Sequence, residues 1–460
     1  MNETELQLEN VALKEQVVSL QAQIHKLQVE LYELGQQHKS SEEIIKGFHN
    51  DHTDIISSGG LQTKRFKMVT VMFASITGFN KLENSENAQN LVDELDSIYF
   101  RFDEIVEKYN IKKIKSLGDT YMCAGGIPQK NRTNPIEVVL ATIEILDFLH
   151  VLKKQNPDKI WDICLGIHTG PVSATISGKK KISYELKGDA ANIASRIEAY
   201  SSAGSLIVSE MTYELIRDFF ICDKIGGLPV KYTGVINMYE VVGFKPKFSD
   251  DDLLHIPNKK FNLKLQMVRF ADLEEYILNR LEKELPNYLF YHNVKHTMDV
   301  LIGVEVIGAA EKVTEADLLL LKTAALFHDM GQIVQSKGHE EISCNFAKDI
   351  LPNYDYSQNQ INEICNLIMA TQLPPNPQNL LQKIMCDSDL DYLGRTDFIP
   401  VSDTLYDELH YQNIITNKND WNKLQVAFIS KHSYFTDFAK NNREVNKQLQ
   451  IERIKSIITE

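Results

Sequence analysis

The chain has 460 residues, 43% of them hydrophobic and 24% charged, which is an ordinary balance for about three globular domains. Its 49 basic and 63 acidic residues give a net charge of -14, which argues against a nucleic-acid or anionic-membrane binder. No apolar run reaches the ~20 residues that cross a bilayer, and the acidic, polar start does not resemble a secretory signal. The 6 cysteines form no CxxC pair. We therefore expect a cytoplasmic protein with reduced thiols and no disulfide framework.

Residues 1–47 carry a heptad pattern. Between Leu6 and Leu34, apolar residues recur at alternating spacings of four and three, with Leu at every d position. Branched residues at a with Leu at d favour a parallel two-stranded coiled coil, in which Asn10 at an a position fixes the register. One long amphipathic helix packed on its own chain is the alternative, but four heptads without Gly or Pro favour the coiled coil. We expect this segment to form a homodimer.

A Ser-Ser-Gly-Gly sequence marks residues 48–65 as a linker, and residues 66–244 alternate short β-branched runs with helical patterns. This interleaving predicts an α/β or α+β domain. The predicted elements, in chain order, are a strand at 67–76, a helix at 87–109, a hairpin at 111–126, a helix at 136–155, a strand at 161–170, a helix at 188–200, and strands at 205–209 and 231–242.

Residues 245–260, rich in Pro, Lys and Asp, form a second linker. Strand patterns disappear beyond this linker, so residues 261–460 predict an all-α domain. The predicted helices lie at 262–284, 294–312, 315–329, 339–351, 357–370 and 440–458.

Five segments of the middle domain resemble, in the same order, the catalytic domain of class III adenylyl and guanylyl cyclases. They are VMFASITGF (71–79), KIKSLGDTYM (113–122), GIHTGPV (166–172), YELKGDAANIASRIEAYSSAG (184–204) and VKYTGVINMYEVVG (230–243). The resemblance implies a ferredoxin-like fold that works as a dimer, with each nucleotide lying across the interface. It also implies conversion of a nucleoside triphosphate to a 3′,5′-cyclic nucleotide and pyrophosphate, assisted by two Mg²⁺ or Mn²⁺ ions.

The resemblance also assigns roles to individual residues of the first strand and the hairpin. Asp119 and Ile76 match metal-binding positions of the family. The turn Thr77–Gly78–Phe79, between the first strand and the first helix, is expected to offer backbone N–H groups to phosphates.

Two phosphate-handling positions depart from the family pattern. Ser75 stands where the family has a second metal-binding aspartate, and the next acid downstream is Glu83. A hydroxyl is a poor replacement for a carboxylate that bridges two divalent cations. Thr233 stands where a family lysine helps to hold the triphosphate. These departures predict low cyclase turnover.

The base-binding and transition-state positions match the family more closely. Lys115 suits N1 of adenine, which is an acceptor, and Glu185 accepts from the adenine amino group. Asn192 and Arg196 match the pair that places the ribose and steadies the phosphate charge. Their i, i+4 spacing predicts one helical face. The resemblance therefore implies ATP as the substrate.

Four segments of the last domain resemble the HD superfamily of metal-dependent phosphohydrolases, over about 285–400. They are YLFYHNVKHTMDV (288–300), ALFHDMGQ (325–332), KGHEEIS (337–343) and IMCDSDLDYLG (384–394). The spacing of His292 and His296 predicts one helical face, and His328–Asp329 ends an apolar helix. Histidines and carboxylates around an open position are what a hydrolytic metal site needs.

The HD resemblance implies a divalent metal, Mn²⁺, Fe²⁺ or Zn²⁺, and a set of ligands for it. The implied ligands are His296, His328, Asp329 and one of Asp387 and Asp389. His339 is either a ligand of a second metal or a surface histidine at a helix start. The string around His292 is also close to the Y-H-N-x-x-H segment of cyclic nucleotide phosphodiesterases, which implies that His292 protonates the leaving alcohol oxygen.

Together the two resemblances predict a cyclic nucleotide signalling protein that couples an adenylyl cyclase-like domain to an HD phosphohydrolase. Its expected partners are ATP, a cyclic nucleotide and a second copy of the chain, with neither nucleic acid nor membrane. In the alternative hypothesis, the degenerate cyclase domain senses a nucleotide and regulates the HD hydrolase. A scaffold without activity is disfavoured by the complete HD ligand set.

Overall fold

The structure is a computed structural model, in which the chain divides into two compact units at Phe261 and Asn262. It describes residues 55–58, 61–77, 88–155, 161–177, 183–230 and 234–459. Among these residues, no helix is long and apolar enough to cross a membrane.

The first unit builds one mixed sheet with helices packed on it. Its elements are β1 (Ile55–Ser58), β2 (Leu61–Thr77), α1 (Ala88–Lys108), β3 (Lys112–Leu117), β4 (Thr120–Gly125), α2 (Asn134–Gln155), β5 (Asp162–Ser177), β6 (Ser183–Lys187), α3 (Asp189–Tyr200), β7 (Leu206–Ser209), α4 (Glu210–Ile216), β8 (Phe220–Val230) and β9 (Gly234–Phe244).

The strand order is β3-β4-β2-β5-β7-β9-β8, with β1 paired to β2 and β6 paired to β5. The first half runs β2-α1-β3-β4-α2-β5, which is the β-α-β-β-α-β connectivity of ferredoxin-like domains. Strand β2 lies in the middle and pairs antiparallel with β4 and β5, whereas β5 and β7 pair in parallel. In this register Ser75 of β2 lies opposite Thr120 of β4 and Cys164 of β5.

Side chains along β2 point alternately to the two faces of the sheet, and one of these faces packs against α3. Val69 and Val71 point to one side, where they pack with Ala190 and Ala194 of α3 in a common apolar cluster. Helix α3 sits directly on β5 because position 166 is glycine: a Cβ atom there would lie 2.2 Å from the backbone nitrogen of Glu198. The end of α3 is therefore held against the middle of the sheet.

Most elements predicted for the first unit are confirmed. Helix α1 buries its predicted apolar face, including Ile98, Phe102 and Ile105, and the hairpin becomes β3-β4. The predicted strands at 67–76 and 161–170 are longer in the structure, where β2 has 17 residues and β5 has 16. Strands β1, β6 and β8 and helix α4 were not predicted.

The second unit is helical, and its boundary falls in the first turn of α5. Its helices are α5 (Lys259–Glu284), α6 (Val294–Ala310), α7 (Glu315–Phe327), α8 (His339–Ile350), α9 (Gln358–Met369), α10 (Leu380–Asp389), α11 (Phe398–Tyr411), α12 (Lys418–Lys431), α13 (Asp437–Asn442) and α14 (Glu444–Lys455). Apolar faces of α5 to α10 form one continuous core.

The predicted fold class is confirmed in its coarse form, a mixed-sheet domain followed by a helical region. The helices predicted at the start of the second unit match α5 to α9 within a few residues. The helix predicted at 440–458 is two helices, α13 and α14, and α11 and α12 were not predicted. The coiled coil predicted for residues 1–47 lies outside the described residues.

Candidate functional site

Two histidines and two aspartates converge in the interior of the second unit. The Nε2 atoms of His296 and His328 lie 3.2 Å apart, and Asp389 Oδ1 lies 3.2 Å from His296 Nε2. Asp329 Oδ2 lies 3.4 Å from His296 Nε2 and 3.3 Å from His328 Nε2. We call His296, His328, Asp329 and Asp389 the histidine cluster. Three separate helix ends therefore deliver nitrogen and oxygen atoms to one point.

The start of α6 positions His296 and separates it from His292. Asn293 caps this helix, because its side chain accepts from the backbone N–H groups of Lys295 and His296. The prediction that His292 and His296 share one helical face is wrong, since the helix begins at Val294 and His292 precedes the cap. Their rings are nevertheless 6.0 Å apart, centre to centre.

The segment after α7 brings a third histidine to the cluster. A Cβ atom on Gly331 would lie 2.0 Å from the backbone oxygen of His339, so only glycine allows this close approach. His339 Nε2 then lies 3.1 Å from Asp329 Oδ1, and His339 Nδ1 lies 2.9 Å from the Ser336 carbonyl oxygen. His339 thus contacts the cluster from its edge.

The two candidate acids of α10 have different surroundings. Positions two apart on a helix point about 200° apart, so Asp387 and Asp389 face different sides. Asp387 is fully buried and accepts from the backbone N–H groups of Phe435 and Thr436 and from the Thr436 hydroxyl. Those contacts fix the start of α13. Only Asp389 reaches the histidines.

A buried carboxylate from α11 holds His292. Glu408 Oε1 lies 2.5 Å from His292 Nδ1, and Oε2 accepts from the backbone N–H groups of Tyr291 and His292. Burial would lower the pKa of His292, but the hydrogen bond to Glu408 and the nearby charges of Asp329 and Asp389 raise it above its usual value. Sequence reasoning missed Glu408, which lies 116 positions from His292.

The donor set of the histidine cluster fits a divalent metal ion. His296, His328 and Asp329 offer ligand atoms that all lie within 4.8 Å of one another. Asp329 Oδ2 is buried without a hydrogen-bond partner, which is costly unless a cation neutralises it. Burial would raise the pKa of Asp389, but hydrogen bonds from His296 and His328 keep it well below its usual range, in the ionised form that binds metals.

In the first unit, β2, the β3-β4 turn and α3 come together near Ser75. Ser75 donates a hydrogen bond from Oγ to Glu198 Oε1. Asp119, in the turn, accepts at its backbone oxygen from the N–H of Ile76, at 2.9 Å. Burial raises the pKa of Glu198, the hydrogen bond from Ser75 lowers it, and the charge of Asp119 raises it further. Glu198 was not among the predicted site residues.

The other candidate residues of the first unit spread over its surface. Lys115 of β3 and Glu185 of β6 are exposed, and these two strands approach each other. Asn192 and Arg196 both lie on α3, four positions apart on one face as their spacing predicts, and both are exposed. Thr77 ends β2, where its hydroxyl donates to the Asp162 carbonyl oxygen at 3.1 Å. Gly78, Phe79 and Thr233 lie outside the described residues.

Comparison with protein families assigns both units. Residues 61–243 match the adenylate and guanylate cyclase catalytic domain, and residues 293–391 match the HD domain. The chain thus carries a region that matches a cyclase catalytic domain, followed by a region that matches an HD domain. The two resemblances noted in the sequence are thereby confirmed. The histidine cluster lies within the HD match, whereas Glu408 lies beyond it.

The curated relatives match the cyclase domain and not the whole chain. An adenylate cyclase of Mycobacterium tuberculosis is 32% identical over 181 residues, which cover 39% of this chain and 41% of that protein. A membrane guanylyl cyclase of Dictyostelium discoideum is 32% identical over 177 residues, covering 38% and 12%. The chain thus spans less than half the length of either relative.

Among solved structures, the adenylyl cyclase CyaB from P. aeruginosa is 30% identical, with 40% of this chain and 97% of that chain covered and a TM-score of 0.37.

Proposed function

We propose that the HD domain is a metal-dependent phosphohydrolase that cleaves a phosphoester, with a cyclic nucleotide as the expected substrate. The observation that carries this proposal is the convergence of His296, His328, Asp329 and Asp389 at one buried point. In the HD family these residue types hold the metal, and Asp389 rather than Asp387 is our choice for the fourth ligand.

A divalent ion bound by the cluster would supply Lewis-acid activation of water and phosphate. The chain's own residues would supply the proton chemistry. His292, whose Nδ1 is held by Glu408, is positioned to protonate the leaving alcohol oxygen from its other nitrogen. The buried Glu408 carboxylate stabilises the protonated ring that such a donor needs.

We propose further that the cyclase domain binds ATP and converts it weakly to cAMP and pyrophosphate. Asp119 would bind the ion, Mg²⁺ or Mn²⁺, through its carboxylate. Ile76 would bind the same ion through its backbone. Lys115 of β3 and Glu185 of β6, two strands that approach each other, fit adenine, and Asn192 and Arg196 supply the transition-state contacts.

A second candidate function follows from Ser75. If the hydroxyl at this position disables the second metal, the cyclase domain becomes a nucleotide-sensing module that regulates the HD hydrolase. Mixing the pure protein with ATP, GTP, cAMP and cGMP and Mn²⁺ separates the two functions. Release of pyrophosphate together with cAMP, or with the AMP that its hydrolysis gives, supports the weak cyclase. No release of pyrophosphate, but a change in the rate of cyclic nucleotide hydrolysis when ATP is added, supports the sensor.

The HD proposal is tested by comparing Asp389→Asn with Asp387→Asn in the full chain. We expect Asp389→Asn to lose bound metal by elemental analysis and to lose hydrolysis. Asp387→Asn should keep the metal, because Asp387 instead holds Phe435 and Thr436 at the start of α13, and should lower the melting temperature. Equal metal content in the parent and in Asp389→Asn would refute our choice of ligand. Absence of metal and of hydrolysis in the parent would refute the function.

A further inference from the structure

The loss of an acid at position 75 is offset by another part of the fold. Ser75 faces α3, and the side chain of Glu198, in the last turn of that helix, accepts a hydrogen bond from the Ser75 hydroxyl. A carboxylate therefore lies beside Ser75, the position where the family pattern has an aspartate on β2. It is supplied from a residue 123 positions further along the chain.

This contact follows from the packing of α3 on the sheet. Gly166 of β5 lets the helix backbone approach so closely that a Cβ atom at this position would overlap Glu198. Side chains at alternate positions of β2 point toward α3, so Ser75 meets the helix where Glu198 leaves it. A serine is short enough to leave room for the glutamate beside it.

Glu198 also lies within electrostatic reach of Asp119. Ile76, next to Ser75, donates its backbone N–H to the Asp119 carbonyl oxygen at 2.9 Å, which ties the turn to β2 at this point. Ser75 in turn holds the half-buried Glu198 through its hydroxyl, so Glu198 and Asp119 are tied to adjacent residues of β2. Burial raises the pKa of Glu198, and the charge of Asp119 raises it further. Carboxylates whose charges interact in this way repel unless a cation lies close to both.

We propose that Glu198 is the second carboxylate ligand of the divalent metal at the cyclase site, replacing the acid that Ser75 lacks. Ser75 positions Glu198 through its hydroxyl. Mg²⁺ and Mn²⁺ take carboxylate and phosphate oxygens, so Asp119 and Glu198 with a nucleoside triphosphate form a suitable donor set. This inference rests on the proposed function of the domain as a metal-dependent nucleotide site.

The test measures metal-dependent nucleotide binding instead of turnover. The probe is fluorescent 2′-mant-3′-deoxy-ATP, which lacks the attacking hydroxyl, titrated with Mn²⁺ on the full chain. Every protein carries Asp389→Asn to silence the histidine cluster. Glu198→Gln keeps the size of the side chain and an oxygen for the Ser75 hydrogen bond, so we expect it to fold. Since loss of even outer ligand contacts costs about 10- to 100-fold in metal affinity, the half-saturating Mn²⁺ concentration should rise at least roughly tenfold.

Three further variants make the result specific. Glu214→Gln removes an equal charge from α4, where Glu214 pairs with Arg217, and should change nothing. Asp119→Asn should weaken Mn²⁺ dependence as Glu198→Gln does. Adding Ser75→Asp to Glu198→Gln returns a carboxylate to β2 and should restore the parental Mn²⁺ concentration.

The outcomes separate this inference from the function on which it rests. If Asp119→Asn weakens the Mn²⁺ dependence and Glu198→Gln does not, Glu198 is no ligand, while the metal-dependent nucleotide site stands. If neither variant changes it, the proposed metal site of the cyclase domain fails, and the role of Glu198 fails with it. Loss of Mn²⁺ dependence in Glu198→Gln with recovery by Ser75→Asp would establish the replacement.

Discussion

Glu408 uses both of its carboxylate oxygens on one short segment of chain. Oε2 accepts two backbone N–H groups and Oε1 faces the His292 ring, so the position and the orientation of the imidazole are set together. These contacts lower the pKa of Glu408 despite its burial, and the carboxylate stays ionised. A histidine held in this way has one nitrogen fixed and the other free to exchange a proton.

We therefore expect Glu408→Gln to reduce kcat for phosphoester hydrolysis with bound metal unchanged. The amide no longer stabilises the protonated ring, and a positioned acid contributes about 10²- to 10⁴-fold, so the loss should reach at least roughly tenfold. Steady-state kinetics and elemental analysis measure both quantities.

A double variant supplies the control for this prediction. If Glu408 acts through His292, then His292→Asn alone and His292→Asn with Glu408→Gln should be equally slow, because the second change removes nothing more. Additive losses, or loss of metal in Glu408→Gln, would show that Glu408 supports the fold instead.

At the level of single residues, the sequence carries local signals and misses distant ones. Spacing and family pattern point to His296, His328 and Asp329, because these lie in short recognisable strings. The choice between Asp387 and Asp389 needs the packing of α13 against α10. Glu198 and Glu408 contact residues more than a hundred positions away, and no pattern in one sequence pairs them with those residues.

At the scale of the elements, a series of buried hydrogen bonds between polar side chains connects strands of the cyclase domain. His168 of β5 contacts the Ser209 hydroxyl at 2.7 Å, and Thr212 links Ser209 to Thr169. The Thr169 hydroxyl lies 2.9 Å from the Thr70 hydroxyl, which extends this series of contacts to β2. Every member is buried, so each group depends on its neighbour for hydrogen bonding.

The buried His168 makes the stability of the cyclase domain depend on pH. Burial lowers the pKa of His168 to about 4 from an ordinary value of 6.5. Between these pH values His168 is protonated in the unfolded chain but neutral in the folded chain. The free energy of unfolding therefore falls as pH falls from 6.5 to 4. The contribution is roughly 3 kcal/mol over that window. It is fully present above pH 6.5.

We expect His168→Gln to flatten the pH dependence of unfolding between pH 6.5 and 4. The chain has 2 tryptophans, Trp161 in the first unit and Trp421 in the second. Urea titrations with Trp421→Phe in both proteins let Trp161 fluorescence report the cyclase domain alone. Identical pH slopes in the two proteins would contradict the burial of a neutral imidazole.

The elements that the sequence predicts are those with a strong apolar pattern. Helix α1 buries a regular apolar face, and strand β2 has a mostly apolar run that is buried on both faces from Val69 to Met72. Strand β8 contains two glycines and a proline, and only part of it is buried, so it lacks the alternation of a half-buried strand. Helix α11 has a proline at its third position, and α12 is mostly polar. For β8, α11 and α12, packing against the rest of the domain decides the structure, because no local sequence pattern does.

At the scale of the whole molecule, we expect the two domains to differ in how many chains a site needs. The histidine cluster and Glu408 come from one chain and lie within the helical unit. In the cyclase domain, Arg196 and Glu198 are two positions apart on α3, about 200° around the helix. Glu198 faces the sheet, whereas Arg196 is exposed. We infer that Arg196 contacts the phosphates of a nucleotide bound at the metal site of a second copy, as the family resemblance implies.

The last prediction concerns the heptad segment and follows from this difference. Removing residues 1–47 should weaken dimerisation and lower cAMP formation in parallel, while hydrolysis by the HD domain continues at the parental rate. A coiled coil raises the effective concentration of the two half-sites to about the millimolar range, and without it they meet only by diffusion. Sedimentation at sub-micromolar concentration and separate assays of the two reactions measure the effect.

Replacing residues 1–47 with an unrelated parallel two-stranded coiled coil is the matched control, and it should restore the dimer and cAMP formation together. Restoration by a foreign coil assigns the effect to proximity, because no side chain of the original segment remains. A truncated chain that sediments as a dimer would place the dimer contacts elsewhere. If hydrolysis falls together with cAMP formation, the HD site also depends on the second copy, and its assignment to a single chain is wrong.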